Sequence, residues 1–90
     1  MTVELKVVAR GKKIKLSPHQ ISFNLKAASM GVPCFFLVEY HPPLPKKPIL
    51  LLYRGDQARE LYLHGVETVP VDSWPIVGIE WAAVRQRLTE

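Results

Sequence analysis

The sequence predicts a small α/β (α+β) domain in which a mixed β-sheet is crossed by one helix. Three observations predict it: residues 2–8 alternate in polarity, residues 18–30 have helical spacing between clear start and stop signals, and residues 34–40 are almost continuously apolar. A strand, a helix and a buried strand in that order favour a parallel crossover. Since the chain has 90 residues and no internal linker, we expect one domain, residues 1–90.

The first predicted strand has two unlike faces. Val3, Leu5 and Val7 share one face, whereas Glu4 and Lys6 lie on the other. The strand therefore carries an acid and a base side by side.

A helix is predicted immediately after a basic turn. Residues 13–16 alternate in polarity and indicate a short returning strand. Ser17 then stands at an N-cap position, Pro18 at the first helical position and Gln20 where a capping box requires it. We expect the helix to end at Gly31.

Two buried strands separated by a stiff loop follow. Residues 34–40 have the composition of a central strand that is covered on both faces. Residues 41–48 contain four prolines in eight positions, which excludes regular structure. Residues 49–53 are again apolar, so we expect a hairpin partner for the preceding strand.

The last third of the chain predicts two more helices. Residues 57–64 form a short helix with Asp56 as its N-cap and Gly65 as its stop. Residues 66–77 are interpreted as a loop, and residues 78–88 as a terminal helix. The predicted inward face of the terminal helix consists of Ile79, Trp81, Ala83, Val84 and Leu88.

Composition excludes several classes of protein. Hydrophobic residues make up 48% of the chain, too many for a disordered tail, and no apolar run approaches the roughly 18 to 20 residues of a membrane span. A single cysteine excludes an internal disulfide and a thiolate-based zinc site. Because the N-terminus lacks the pattern of a signal peptide, we expect a cytoplasmic protein.

The positive charge is concentrated in the first third of the chain. The net charge is +4 overall, but residues 1–26 hold six cations and one acid. Such an excess predicts sequence-tolerant binding to DNA phosphates, with a lysine-rich edge strand as the alternative. The predicted phosphate contacts are Arg10, Lys12, Lys13, Lys15 and Lys26.

Glu4 and Lys6 are the first candidates for chemistry. Two residues apart on a strand, their Cα atoms are roughly 6.5 to 7 Å apart and on the same side. The carboxylate could bind Mg²⁺, and the ammonium could stabilise phosphate charge. The alternative is an exposed ion pair.

The order of these motifs resembles the C-terminal half of the PD-(D/E)XK nuclease core. It is most similar to the small virus-type replication-repair nucleases and to the Holliday-junction resolvases. In that family a Glu-x-Lys strand precedes a Leu-Ser/Thr-Pro-x-Gln helix start and a helix that ends at glycine. The matching residues here are Glu4, Lys6, Leu16, Ser17, Pro18, Gln20 and Gly31.

The resemblance implies a DNA endonuclease or junction resolvase that uses Mg²⁺ or Mn²⁺. It implies that Glu4 is a metal ligand, that Lys6 is the catalytic lysine and that Gln20 reaches back toward them. It also implies a restriction-endonuclease-like core that lacks its N-terminal part. The strand that carries the family's metal-binding aspartate precedes Glu-x-Lys, and this sequence begins three residues before Glu4.

Three explanations of the missing aspartate stay open. Another polypeptide or a second copy of the chain supplies the acid, and the open edge of residues 2–8 is a reason to expect a dimer. Glu39 replaces it from the neighbouring strand. Alternatively the site is inactive, and the fold binds DNA or a protein partner. Gln20 likewise has a purely structural explanation as part of the capping box.

Overall fold

A four-stranded mixed sheet with three α-helices forms an α+β fold, as seen in a computed structural model that describes residues 1–89. The elements are β1 (Thr2–Val8), α1 (Pro18–Ser29), β2 (Cys34–Tyr40), β3 (Ile49–Arg54), α2 (Ala58–His64), β4 (Asp72–Pro75) and α3 (Trp81–Thr89). The strands lie in the order β1-β2-β3-β4. The β1–β2 pair is parallel, and the β2–β3 and β3–β4 pairs are antiparallel. The predicted crossover and hairpin are therefore confirmed.

Helix α1 begins with the predicted capping box. The Gln20 backbone N–H donates to Ser17 Oγ at 3.1 Å, and the Ser17 N–H donates to Gln20 Oε1 at 3.1 Å. The helix ends at Ser29, and Gly31 follows with a φ of 75°, a conformation that glycine adopts without steric cost. Both ends of the crossover helix thus lie where local sequence signals predict them.

Strands β2 and β3 are covered on both faces, which explains their continuous apolar sequences. Side chains such as Phe36 and Tyr53 point toward α1 and α2, whereas Leu37 and Leu52 point toward α3. Phe36, Tyr53 and Leu52 are completely buried. The core therefore consists of two layers, one on each side of the sheet.

On β1 the polar face is partly buried and most of the apolar face is exposed, which reverses the usual arrangement of a strand. Glu4 and Lys6 are partly buried on the face that packs against α1. On the apolar face, Leu5 is 75% exposed and Val7 is 65% exposed. Helix α3 packs near Val3 on that face and leaves the rest of the strand in solvent. The polar face of β1 is consequently the one that enters the interior.

The predicted returning strand at residues 13–16 is wrong. These residues pair with no strand within residues 1–89, although Ile14 and Leu16 are buried in the core against α1 and α2. The alternation reflects burial of one side of an extended segment. The segment is attached instead to the end of α2, where the Val66 N–H donates to the Lys12 carbonyl at 2.9 Å.

The second half of the chain differs from prediction at two places. Residues 72–75 form the short strand β4 within the predicted loop, with Trp74 aligned to Leu50. Asp56 is not the N-cap of α2, because it lies in a 3-10 turn over Gly55–Gln57 that precedes the helix.

Helix α3 begins at Trp81, later than predicted. Val84 is buried and Leu88 packs beside it, but Trp81 and Ala83 are exposed. Ile79 does contact the core, from the segment before the helix. Within residues 1–89, no helix combines the length and the hydropathy needed to cross a bilayer.

Candidate active site

Two residues of β1 and two of α1 face one another across the first layer of the core. Glu4 and Lys6 align with Phe36 and Val38 of β2, whose side chains are buried on the side of α1. Gln20 on α1 and a further residue one helical turn later, Asn24, lie opposite them. The crossover thus brings together residues that are up to 20 positions apart in the sequence.

Gln20 connects the helix cap to the lysine. Lys6 Nζ donates to Gln20 Oε1 at 3.1 Å, and the same oxygen accepts the Ser17 N–H of the capping box. The capping and the site explanations of Gln20 therefore apply together. The cap holds the Gln20 amide, and the amide holds the ammonium of Lys6.

Asn24 connects the same helix to the carboxylate. Its side chain is completely buried, and Nδ2 donates to Glu4 Oε1 at 3.2 Å and to the Gln20 carbonyl at 2.8 Å. Its Oδ1 has no hydrogen-bond partner among residues 1–89. Buried polar atoms in proteins nearly always have a partner, so this unpaired oxygen is unusual.

Sequence reasoning missed Asn24. The available signal was a polar residue four positions after Gln20, among apolar positions of a helix expected to pack on a sheet. Asparagine is uncommon inside a helix unless its side chain has a specific partner. Here the partners are Glu4 and the carbonyl of Gln20.

Cys34 closes one end of this layer and is no candidate nucleophile. Its thiol is buried, and Sγ donates to the Asn24 carbonyl at 3.5 Å. Burial raises the pKa of the Cys34 thiol, so it is protonated at neutral pH. Thr2 Oγ1, from the strand position paired with Cys34, is a second buried polar atom without a partner within residues 1–89.

Glu39 lies away from this site. It aligns with Val7, so its side chain is on the opposite face of the sheet from Glu4. Its Oε2 is 2.8 Å from His41 Nε2. Glu39 therefore cannot replace the missing aspartate, and this alternative is wrong.

The basic residues divide between three places. Lys13 and Lys15 line a groove of about 660 Å³ together with Lys6 and Gln20. Lys26 is exposed in the last turn of α1. The remaining two, Arg10 and Lys12, line a separate groove of about 600 Å³ beside the proline-rich loop.

Lys12 has an acidic partner, whereas no salt bridge within residues 1–89 involves the lysines of the first groove. Its Nζ is 2.5 Å from Glu67 Oε1, and both side chains are exposed. The hydrogen bond, with the charge attraction second, raises the pKa of Lys12 and lowers that of Glu67. Lys12 is thereby partly neutralised as a phosphate contact.

Glu4 provides carboxylate oxygens of the kind that a hard divalent cation prefers as ligands. Residues 1–89 contain no group of three or more His, Cys, Asp or Glu side chains that could hold a metal ion. Mg²⁺, however, keeps several waters and is commonly bound through one or two carboxylates and a substrate phosphate. The carboxylate of Glu4 is the side chain here that fits such a ligand role.

No protein-family model, curated protein or solved structure matches this chain. Function is therefore inferred from its own side chains: a carboxylate and an amine, each hydrogen-bonded to α1, beside a groove with lysines.

Proposed function

We propose that this protein is a metal-dependent DNA endonuclease or junction-resolvase-like protein that hydrolyses phosphodiester bonds. One observation carries the proposal: Glu4 and Lys6 are both turned toward α1, where Asn24 and Gln20 hold them in separate hydrogen bonds. This arrangement is compatible with the PD-(D/E)XK resemblance and with a restriction-endonuclease-like core.

The contacts of Glu4 and Lys6 favour a site over an ion pair. Among residues 1–89, no salt bridge joins the two side chains. Each is partly buried and is bound by a neutral amide, which leaves its charge available to a ligand. A surface ion pair would be more exposed and would contribute little to stability.

Each side chain has a role in this proposal. Glu4 would hold Mg²⁺ or Mn²⁺, which supplies charge stabilisation at the phosphate when bound, and Asn24 positions the Glu4 carboxylate through its Nδ2. Lys6 contacts a phosphate oxygen or orients the attacking water, and Gln20 positions the Lys6 ammonium. Lys13 and Lys15 bind neighbouring phosphates in the same groove.

A second acid is proposed to come from another copy of the chain. Strand β1 pairs only with β2 within residues 1–89, so its other edge has free backbone donors and acceptors. A second copy that adds a strand there would lie directly beside the strand that carries Glu4.

A cleavage assay tests the proposed activity. Branched, single-stranded and duplex DNA are incubated with the protein and Mn²⁺. We expect cleavage that Glu4→Gln and Lys6→Met each reduce by about 100-fold or more, because they remove a metal ligand and the phosphate-directed charge. The matched controls Glu80→Gln and Lys47→Met, at exposed positions outside the site, should cleave normally. No cleavage by the unmodified protein would contradict the proposal.

The second candidate function is DNA binding without catalysis. It is favoured by the single carboxylate that residues 1–89 place beside Lys6. It predicts DNA affinity that falls steeply with salt, is unchanged in Glu4→Gln and is accompanied by no metal-dependent cleavage.

A further inference from the structure

Some of the residues that line the groove beside Lys6 have no role in the proposed hydrolysis. Its volume is about 660 Å³, within the range of sites for small ligands. Lys6, Lys13 and Lys15 provide cations to its lining, and Tyr62 and Leu63 of α2 also line it. Within residues 1–89, no acidic side chain lines it.

Tyr62 is exposed because of how α2 packs. Leu61 is completely buried against the sheet, which turns the next two side chains outward. Tyr62 is 57% exposed and Leu63 is 64% exposed. Single exposed apolar side chains are common on protein surfaces, but an aromatic ring that shares a groove with three lysines combines the two features that bind single-stranded nucleic acid.

We propose that this groove binds an unpaired nucleotide of single-stranded DNA, with its base stacked on Tyr62 and its flanking phosphates on Lys13 and Lys15. One part of this inference rests on the proposed function: the phosphate next to Lys6 is taken to be the one that is cleaved. Bases within a duplex are stacked on each other and cannot present a face to Tyr62. The preferred substrate is therefore DNA with a single-stranded segment.

Binding measurements without catalysis test this proposal. Fluorescence anisotropy compares a labelled single-stranded oligonucleotide with its duplex, at low salt and with EDTA to prevent cleavage. We expect tighter binding of the single strand, a loss of about tenfold in Tyr62→Ala, and an effect on the duplex of less than about twofold. Tyr62→Phe keeps the ring and should bind normally, whereas Tyr62→Leu should resemble Tyr62→Ala.

Trp81→Ala is the matched control, because Trp81 is also 57% exposed but lies on α3, outside the groove. It should bind both DNAs as the unmodified protein does. Equal affinity of Tyr62→Ala and the unmodified protein for the single strand would overturn the proposal, as would an equal loss for both DNAs. Circular dichroism checks that each variant is folded.

The outcome is independent of the cleavage assay. Loss of single-strand affinity in Tyr62→Ala, in a protein that cleaves no DNA with Mn²⁺, supports the stacking site and contradicts the nuclease. Cleavage with normal single-strand affinity in Tyr62→Ala supports the nuclease and contradicts the stacking site.

Discussion

Asn24 joins β1 and α1 through one buried amide. Its Nδ2 has two acceptors, Glu4 Oε1 and the Gln20 carbonyl, so the orientation of the amide group is determined by its contacts. The Oδ1 is then the atom left without a partner within residues 1–89. Leaving a buried acceptor without a partner costs about 1 to 3 kcal/mol.

Changing Asn24 to aspartate tests whether this position is part of a metal site. In Asn24→Asp a second carboxylate lies beside Glu4, so without metal we expect a loss of about 1 to 3 kcal/mol in the free energy of unfolding. With Mn²⁺ the midpoint of thermal unfolding should rise more than in the unmodified protein, because two carboxylates bind the cation more tightly than one. Asn24→Leu is the control, and an equal Mn²⁺ effect in Asn24→Asp and Asn24→Leu would contradict a metal site here.

The buried hydroxyl of Tyr53 should make the free energy of unfolding fall at alkaline pH. The side chain is completely buried, its hydroxyl donates to the Thr68 carbonyl at 2.9 Å, and burial raises its pKa to about 12. Tyr53 therefore ionises in the unfolded chain near pH 10 but in the folded chain only near pH 12. Its contribution to stability is complete below pH 10 and is lost as the pH rises through 12.

Urea unfolding of Tyr53→Phe measures this contribution. Between pH 8 and pH 11 the unmodified protein should lose about 1.4 kcal/mol more than the variant, which has no hydroxyl to ionise. At pH 8 the variant should be less stable by about 1 kcal/mol, because the Thr68 carbonyl loses its donor. The same pH dependence in both proteins would show that Tyr53 is not the group responsible.

At the scale of the elements, the end of α2 positions the basic segment. Gly65 has a φ of 57°, and a Cβ placed on it would lie 1.9 Å from the Lys12 carbonyl oxygen. The absence of a side chain lets the chain pass against Lys12, where Val66 donates its hydrogen bond. This contact directs residues 13–16 along the core and brings Lys13 and Lys15 to the groove beside Lys6.

Gly65→Ala should therefore lower the free energy of unfolding more than an alanine substitution at a glycine that has only a positive φ and no close neighbour. We expect a loss of more than about 2 kcal/mol in the free energy of unfolding, since both the backbone conformation and the space exclude a Cβ. The control Gly11→Ala has a similar φ of 71° but nothing within 4 Å of the added Cβ, so it should lose only about 1 kcal/mol. Chemical denaturation compares the two, and equal losses would contradict the proposed contact.

At the scale of the whole molecule, strand β1 presents an unpaired edge within residues 1–89. It combines a free edge with the exposed side chains of Leu5 and Val7, on the face opposite Glu4. Exposed sheet edges readily add a strand from another chain. Helix α3 leaves Leu5 and Val7 uncovered, so apolar contact between these side chains and a second copy would stabilise a dimer.

Native mass spectrometry tests the expected self-association. We expect a dimer of the unmodified protein at micromolar concentration and a monomer in the double variant Leu5→Lys with Val7→Lys, because two added charges oppose pairing at the edge. Val69→Lys with Val77→Lys is the matched control, since Val69 is 78% exposed and Val77 is 67% exposed on other segments. A monomeric unmodified protein would contradict a site completed by a second copy.

Sequence patterns predicted the elements whose signals are local. The Ser17–Gln20 capping box, the glycine after α1 and the apolar runs of β2 and β3 act over a few residues, so the bounds of these elements follow from composition and spacing. The short strand β4 was missed because Asp72–Pro75 has little strand propensity of its own and is ordered by pairing with β3.

By itself the sequence determined the strand that carries Glu4 and Lys6, the helix that carries Gln20 and the parallel crossover that joins them. Only the tertiary structure decided which face of β1 enters the interior, that Asn24 binds Glu4 and that Tyr62 shares a groove with Lys6. The physical reason is distance along the chain. Caps and alternation depend on near neighbours, whereas burial and these contacts depend on how helices from different parts of the sequence cover the sheet.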